Sequence, residues 1–128
     1  VAKKNNVNFF IRISADSPLI NPKIIDSVIS LYLLKKRNKD LITNVFPRTF
    51  PKGQSIEIIK TSILKDNLRF FNAEDKEHVT RYFYKNYKNF SIINLKNKNK
   101  KKLINMVVDT RRDLILLEKS FKFQKGNK

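Results

Sequence analysis

Asn8-Phe9-Phe10-Ile11-Arg12-Ile13-Ser14-Ala15-Asp16-Ser17-Pro18 is the stretch whose reading decides the fold. Residues 8–13 are apolar on both alternating faces, as a strand covered on both sides is. The run ends in a polar turn, Ser14 to Pro18, that carries Asp16 directly beyond the strand. Neighbouring strand residues point to opposite faces, so Phe9 and Phe10 belong to the core and form no joint base-stacking platform.

Working outward, Asn21 reads as an N-cap with Pro22 at the first helical position. Ile24, Ile25, Val28, Ile29 and Tyr32 follow at helical spacing, predicting a helix to about Lys36. Asp40 to Val45 is a second strand, and Phe46 to Gly53, with Pro47 and Pro51, is an exposed loop. Ser55 to Lys60 is a third strand and Thr61 to Leu68 a helix, followed by a helical stretch from about Asp75 to Lys85. Phe90 to Lys96 reads as a strand, Asn97 to Lys102 as a basic loop, and Leu103 to Asp109 as a strand ending in a carboxylate. Thr110 caps a last helix, with Asp113 in the capping-box position. Strands alternating with helices predict an α/β fold: a mixed, mostly parallel sheet with helices on both faces and an antiparallel excursion around residues 55–60 and 90–96.

The 128 residues, 41% of them hydrophobic, fit a single domain spanning 1–128. The absence of Cys excludes disulfides and thiolate metal sites. No apolar run approaches the roughly 18 residues of a membrane span, and Val1 to Asn6 lacks a secretory signal, so a soluble cytoplasmic protein with no membrane partner is expected. The formal charge of +17 would attract nucleic acid or phosphorylated ligands. Lys, Asn and Ile together make up roughly 40% of the chain, however, a compositional bias that explains much of that charge without a partner. The Lys96 to Lys102 run could contact phosphates, but no helix-turn-helix, zinc-finger or aromatic RNA-binding pattern accompanies it. Nucleic acid is therefore an unlikely partner, and a basic nucleic-acid-binding module is the alternative reading.

Ligands of open α/β sheets bind where strands end. Asp16 and Asp109 both fall at such places, and two hard oxygen ligands suit Mg²⁺. By position alone they serve equally well as a turn residue and a helix-capping residue. Glu77 and Arg81, four apart on a helix, can pair, and the lone His78 between them reads as a hydrogen-bonded structural histidine. The loop Arg48 to Glu57 joins a glycine to basic and acidic groups, as a sugar- or phosphate-contacting loop does and as an ordinary surface connection also does.

Four pieces in order, Arg12 to Ile20, Pro51-Lys52-Gly53-Gln54-Ser55-Ile56-Glu57, Glu77-His78-Val79-Thr80, and Val108-Asp109-Thr110 with Asp113-Leu114, give the chain a family resemblance. From about Phe9 to Phe121 it resembles the C-terminal part of the cytidylyltransferase family that includes spore coat polysaccharide biosynthesis protein F, related to acylneuraminate and ketodeoxyoctonate cytidylyltransferases. The resemblance implies a Rossmann-like nucleotide-diphospho-sugar transferase fold, CTP and an acceptor sugar as substrates, and a CMP-sugar for polysaccharide biosynthesis as product. It implies that Asp16 and Asp109 bind Mg²⁺ and that Gly53, Glu57, Glu77 and His78 surround the acceptor sugar, with Arg12 either facing that crevice as a further substrate-binding residue or paired internally. The family's Arg- and Gly-rich nucleotide loop is not matched, since the glycines are Gly53 and Gly126. The expectation is a chain without the N-terminal nucleotide-binding segment, inactive alone, acting as a homodimer, beside a complementing N-terminal chain, or as a noncatalytic subunit or remnant.

Overall fold

The computed structural model describes residues 4–35, 39–98 and 106–125. In chain order it contains β1 (Phe9–Ile13), α1 (Pro22–Lys35), β2 (Leu41–Thr43), β3 (Ile56–Lys60), α2 (Thr61–Asn67), α3 (Ala73–Glu77), α4 (Arg81–Lys85), β4 (Ile92–Asn94) and α5 (Arg111–Lys125). Asn21 caps α1 as its sequence predicts: its side-chain oxygen accepts from the Lys23 N–H at 2.9 Å, with Pro22 at the first helical position. Thr110 and Asp113 form the expected reciprocal cap of α5, the Thr110 N–H reaching Asp113 at 2.8 Å and the Asp113 N–H reaching Thr110 Oγ1 at 3.2 Å. The Thr110 hydroxyl and N–H hold the Asp113 carboxyl below the ordinary carboxylate range.

The four strands lie in the order β1-β3-β2-β4. β3 runs antiparallel to β1 and β2, and β2 runs parallel to β4. The mixed α/β sheet is as expected, with a smaller parallel share among the described residues than the sequence suggested. β3 follows β2 through a loop with no helix, so it returns antiparallel. β4 is reached only after α2, α3 and α4, and that long connection lets it lie parallel beside β2. The antiparallel excursion therefore holds for residues 56–60 and not for 92–94.

Period-two alternation splits the core into two layers. Leu41 and Ile59 pack with Ile63, Phe71 and Phe83, and Phe10 and Ile92 join that side. Ile42, Ile56 and Ile58 pack with Val28 of α1, joined by Phe9 and Ile93. Phe9 and Phe10 thus serve opposite layers, and helices cover both faces.

The expected helix over 75–85 is two short ones. Asn72 caps α3 in a capping box with Asp75, and His78, at φ −112° and ψ 72°, ends it before α4 begins at Arg81. Glu77 and Arg81 therefore do not share a helix face, and the predicted pair does not form. Arg81 instead meets Glu74 at 2.5 Å and Asp75 at 3.3 Å. The strand expected over 103–109 lies partly outside the described residues, as does most of the Lys96 to Lys102 run. Residues 106–109 form no regular element, yet their backbone is anchored: Met106 N–H donates to Lys52 C=O and Val108 N–H to Asp16 C=O, both at 2.9 Å. Among the described residues no helix is long and apolar enough to cross a membrane.

Candidate functional site

Register brings the ends of all four strands to one edge. Ile13 ends β1 opposite Ile56, which begins β3, while Thr43 at the end of β2 faces both Glu57 and Asn94. On the layer of Phe10, Leu41, Ile59 and Ile92, the same alternation continues toward this edge as Arg12, Thr43, Glu57 and Asn94. Apolar residues deep in the sheet thus give way to polar ones where the strands stop.

Two of them, Arg12 and Glu57, lie in a cleft of about 550 Å³ lined also by Ser14, Arg48, Ser55, His78, Thr80, Arg81, Tyr84 and Lys85, with Val45. Glu57 is 3% exposed, and both of its oxygens are engaged. Oε2 accepts from Arg12 Nη1 at 2.8 Å and Oε1 from the Tyr84 hydroxyl at 2.5 Å. A buried carboxylate is tolerated only when so paired. Burial, reinforced by the Glu57 charge, pushes the Tyr84 phenol far above its ordinary range and keeps its proton in place. The Tyr84 ring stacks on Phe46, centroids 4.8 Å apart at 16°. Arg48 leans across the loop to Ser55 Oγ at 3.1 Å, leaving its guanidinium exposed at the cleft wall.

The loop over the cleft is held from within. Buried Asn44 donates to Gln54 C=O at 2.6 Å and accepts from Ile56 N–H at 2.9 Å. Gln54, also buried, accepts from Asn21 N–H and donates to Leu19 C=O, each at 2.8 Å. It thereby ties the turn after β1 to the loop before β3. Gly53 adopts φ +87°, and a Cβ there would lie 2.7 Å from the Met106 backbone carbon and oxygen. Glycine permits the close approach that docks residues 106–109 beside residues 16 and 52.

Through that docking, Asp16 and Asp109 stand on adjoining backbone, linked by the Val108 N–H to Asp16 C=O bond. Both are exposed, and Ser17 Oγ donates to Asp16 Oδ1 at 3.0 Å. The side chain that caps α5 at this junction belongs to Thr110. Two exposed carboxylates on neighbouring segments fit the sparse, hard ligand set that Mg²⁺ takes alongside water and substrate phosphates. Among the described residues no cluster of three or more His, Cys, Asp or Glu could hold a metal.

Of the residues the sequence singled out, the structure gathers Arg12, Glu57 and His78 in the cleft. His78 is an exposed side chain that lines the cleft. Gly53 sits against Met106 rather than on the cleft wall, and Glu77 is exposed at the end of α3 and does not line it. Thr43, Tyr84 and Lys85 were missed. The signal for Thr43 was its place two residues after Leu41 on the same strand face.

A solved structure of a cytidylyltransferase from Leptospira borgpetersenii serovar Hardjo-bovis (strain JB197) is similar to this chain, with a TM-score of 0.86 and 28% identity over 95% of this chain and 52% of that one. The chain has a cytidylyltransferase-like fold. It spans about half the length of the structure it matches. No family model matches the sequence. No curated protein matches it significantly. The strand ends of this fold carry the cleft, and the Asp16 and Asp109 junction lies just beyond β1.

Proposed function

We propose that this chain forms the acceptor side of a cytidylyltransferase site, where CMP passes from CTP to an anionic sugar destined for polysaccharide. The observation that supports the reading is the Val108 to Asp16 backbone bond, which brings the segments of Asp16 and Asp109 together just beyond β1, two residues past Ser14 of the cleft. Among the residues lining the cleft, Arg12, Arg48, Arg81 and Lys85 are cationic and Glu57 is the one acid. Arg12 pairs with Glu57, and Arg81 and Lys85 pair with Asp75, so Arg48 and the remaining N–H groups of Arg12 are the cleft's cationic donors to a carboxylate or phosphate. Ser14, Ser55, His78 and Thr80 offer polar groups to sugar hydroxyls.

Asp16 and Asp109 would hold Mg²⁺, which when bound supplies charge neutralisation at the transferring phosphate. The chain's own residues position the acceptor and exclude alternative orientations, and positioning is the larger part of such chemistry. Gly53, the one glycine among the described residues, packs on Met106 and so offers no phosphate cradle.

NMR titration of the labelled chain with N-acetylneuraminate, ketodeoxyoctonate and glucose tests this reading. It predicts shifts confined to Arg12, Arg48, His78 and their neighbours with the acidic sugars and none with glucose. Equal responses to all three sugars, or shifts remote from the cleft, would overturn it.

A further inference from the structure

Hydrogen bonding at the cleft floor has a fixed direction. A carboxylate only accepts, so the Tyr84 hydroxyl spends its single proton on Glu57 Oε1 at 2.5 Å. The 3.0 Å contact between Tyr84 and Thr43 must then be donated by Thr43 Oγ1, which itself accepts the Val45 N–H at 3.2 Å. The chain runs from the Val45 N–H through Thr43 and Tyr84 to Glu57, whose other oxygen takes Arg12 Nη1. Each donor in it has one acceptor, so the Glu57 carboxylate has one orientation. Arg12 bridges the buried floor and the open cleft: its side chain is 31% exposed, against 3% for Glu57.

We propose that Tyr84 is a positioning residue: by donating to Glu57 it fixes the carboxylate that holds Arg12 as the anion-binding arm of the cleft. The inference rests on the reading of the cleft as an anion site. Arg12 and Glu57 are also register partners across β1 and β3, so the pair forms on the sheet itself. A long arginine left free would lose rotamer entropy on meeting a ligand, whereas one already held by Glu57 loses less. Tyr84 contributes through that pre-ordering, without touching the ligand.

Tyr84→Phe removes the hydroxyl and leaves the ring that stacks on Phe46. The probe is inorganic sulfate, titrated into the full 128-residue chain and followed by arginine side-chain NMR signals. Arg12→Lys is expected to weaken sulfate binding about tenfold, the scale of one charge-assisted hydrogen bond. Tyr84→Phe is expected to weaken it about threefold to fivefold, and Thr43→Val to a smaller extent in the same direction. In the double variant, adding Tyr84→Phe to Arg12→Lys should cost nothing further, because the arm being positioned is gone. A packing role for Tyr84 would make the two effects additive and would overturn the proposal. Unchanged binding in Tyr84→Phe alongside weakened binding in Arg12→Lys would overturn it too, with the anion site intact. Unchanged binding in Arg12→Lys would overturn the anion-site reading itself.

Discussion

Gly53 shows how much one residue fixes. At φ +87°, with the Met106 backbone 2.7 Å from where a Cβ would stand, any side chain meets both left-handed strain and a clash with main chain. Gly53→Ala should cost about 2–3 kcal/mol and lower the melting temperature by about 5–10 °C in a thermal melt. Undocking of residues 106–109 should accompany the loss, seen as faster amide exchange at Met106 and Val108. Tyr84 makes a second residue-scale prediction. The unfolded phenol ionises near its ordinary value of 10.0, while burial first and Glu57 second hold the folded phenol well above it. The folded state thus keeps a proton that the unfolded state gives up, so this contribution is intact below pH 10 and is lost progressively above it. Chemical denaturation above about pH 10 should show stability falling more gently with pH in Tyr84→Phe than in the wild-type chain.

At the scale of elements, the capping residues were legible because their chemistry is local. Asn21 with Pro22, and Thr110 with Asp113, can be read without knowing what packs nearby. The split between α3 and α4 was not, because residues 75–85 keep helical spacing through a break that tertiary contacts impose. Asn72 and Asp75 fix where α3 starts, and Asp75, 4% exposed, then receives Arg81 at 3.3 Å and Lys85 at 3.8 Å. Asp75 thereby joins the two helices and turns His78 toward the cleft between them. Asp75→Ala should destabilise by about 2 kcal/mol, from the lost cap and a buried pair partner, as read from a urea unfolding curve. The strand pattern predicted Phe9 and Phe10 on opposite faces correctly, yet it missed the Glu57, Tyr84 and Thr43 network. Those residues are far apart in sequence, and each looks ordinary until register joins them.

For the whole molecule, the charge of +17 acts as self-repulsion unless a partner offsets it. Raising NaCl from about 0.05 M to about 0.5 M should raise the melting temperature, since screening shortens the range of that repulsion. A nucleic-acid module would bind random-sequence RNA with steep salt dependence, and weak binding unchanged by removal of Lys100, Lys101 and Lys102 is expected here instead. At the sheet's β1 edge, Ile11 and Ile13 are 43% and 42% exposed, and such an edge invites pairing. Ile11→Lys should reduce self-association in sedimentation velocity, without loss of helix or sheet signal in circular dichroism.

The proposed Mg²⁺ site of Asp16 and Asp109 beyond β1 can be tested directly. Mn²⁺, a paramagnetic stand-in for Mg²⁺, can be titrated into the labelled chain and read by NMR line broadening. With a shared metal site, amide signals around Asp16 and around Asp109 broaden together, and Asp16→Ala removes both effects. Broadening centred on other residues, or broadening that Asp16→Ala leaves unchanged, would contradict it.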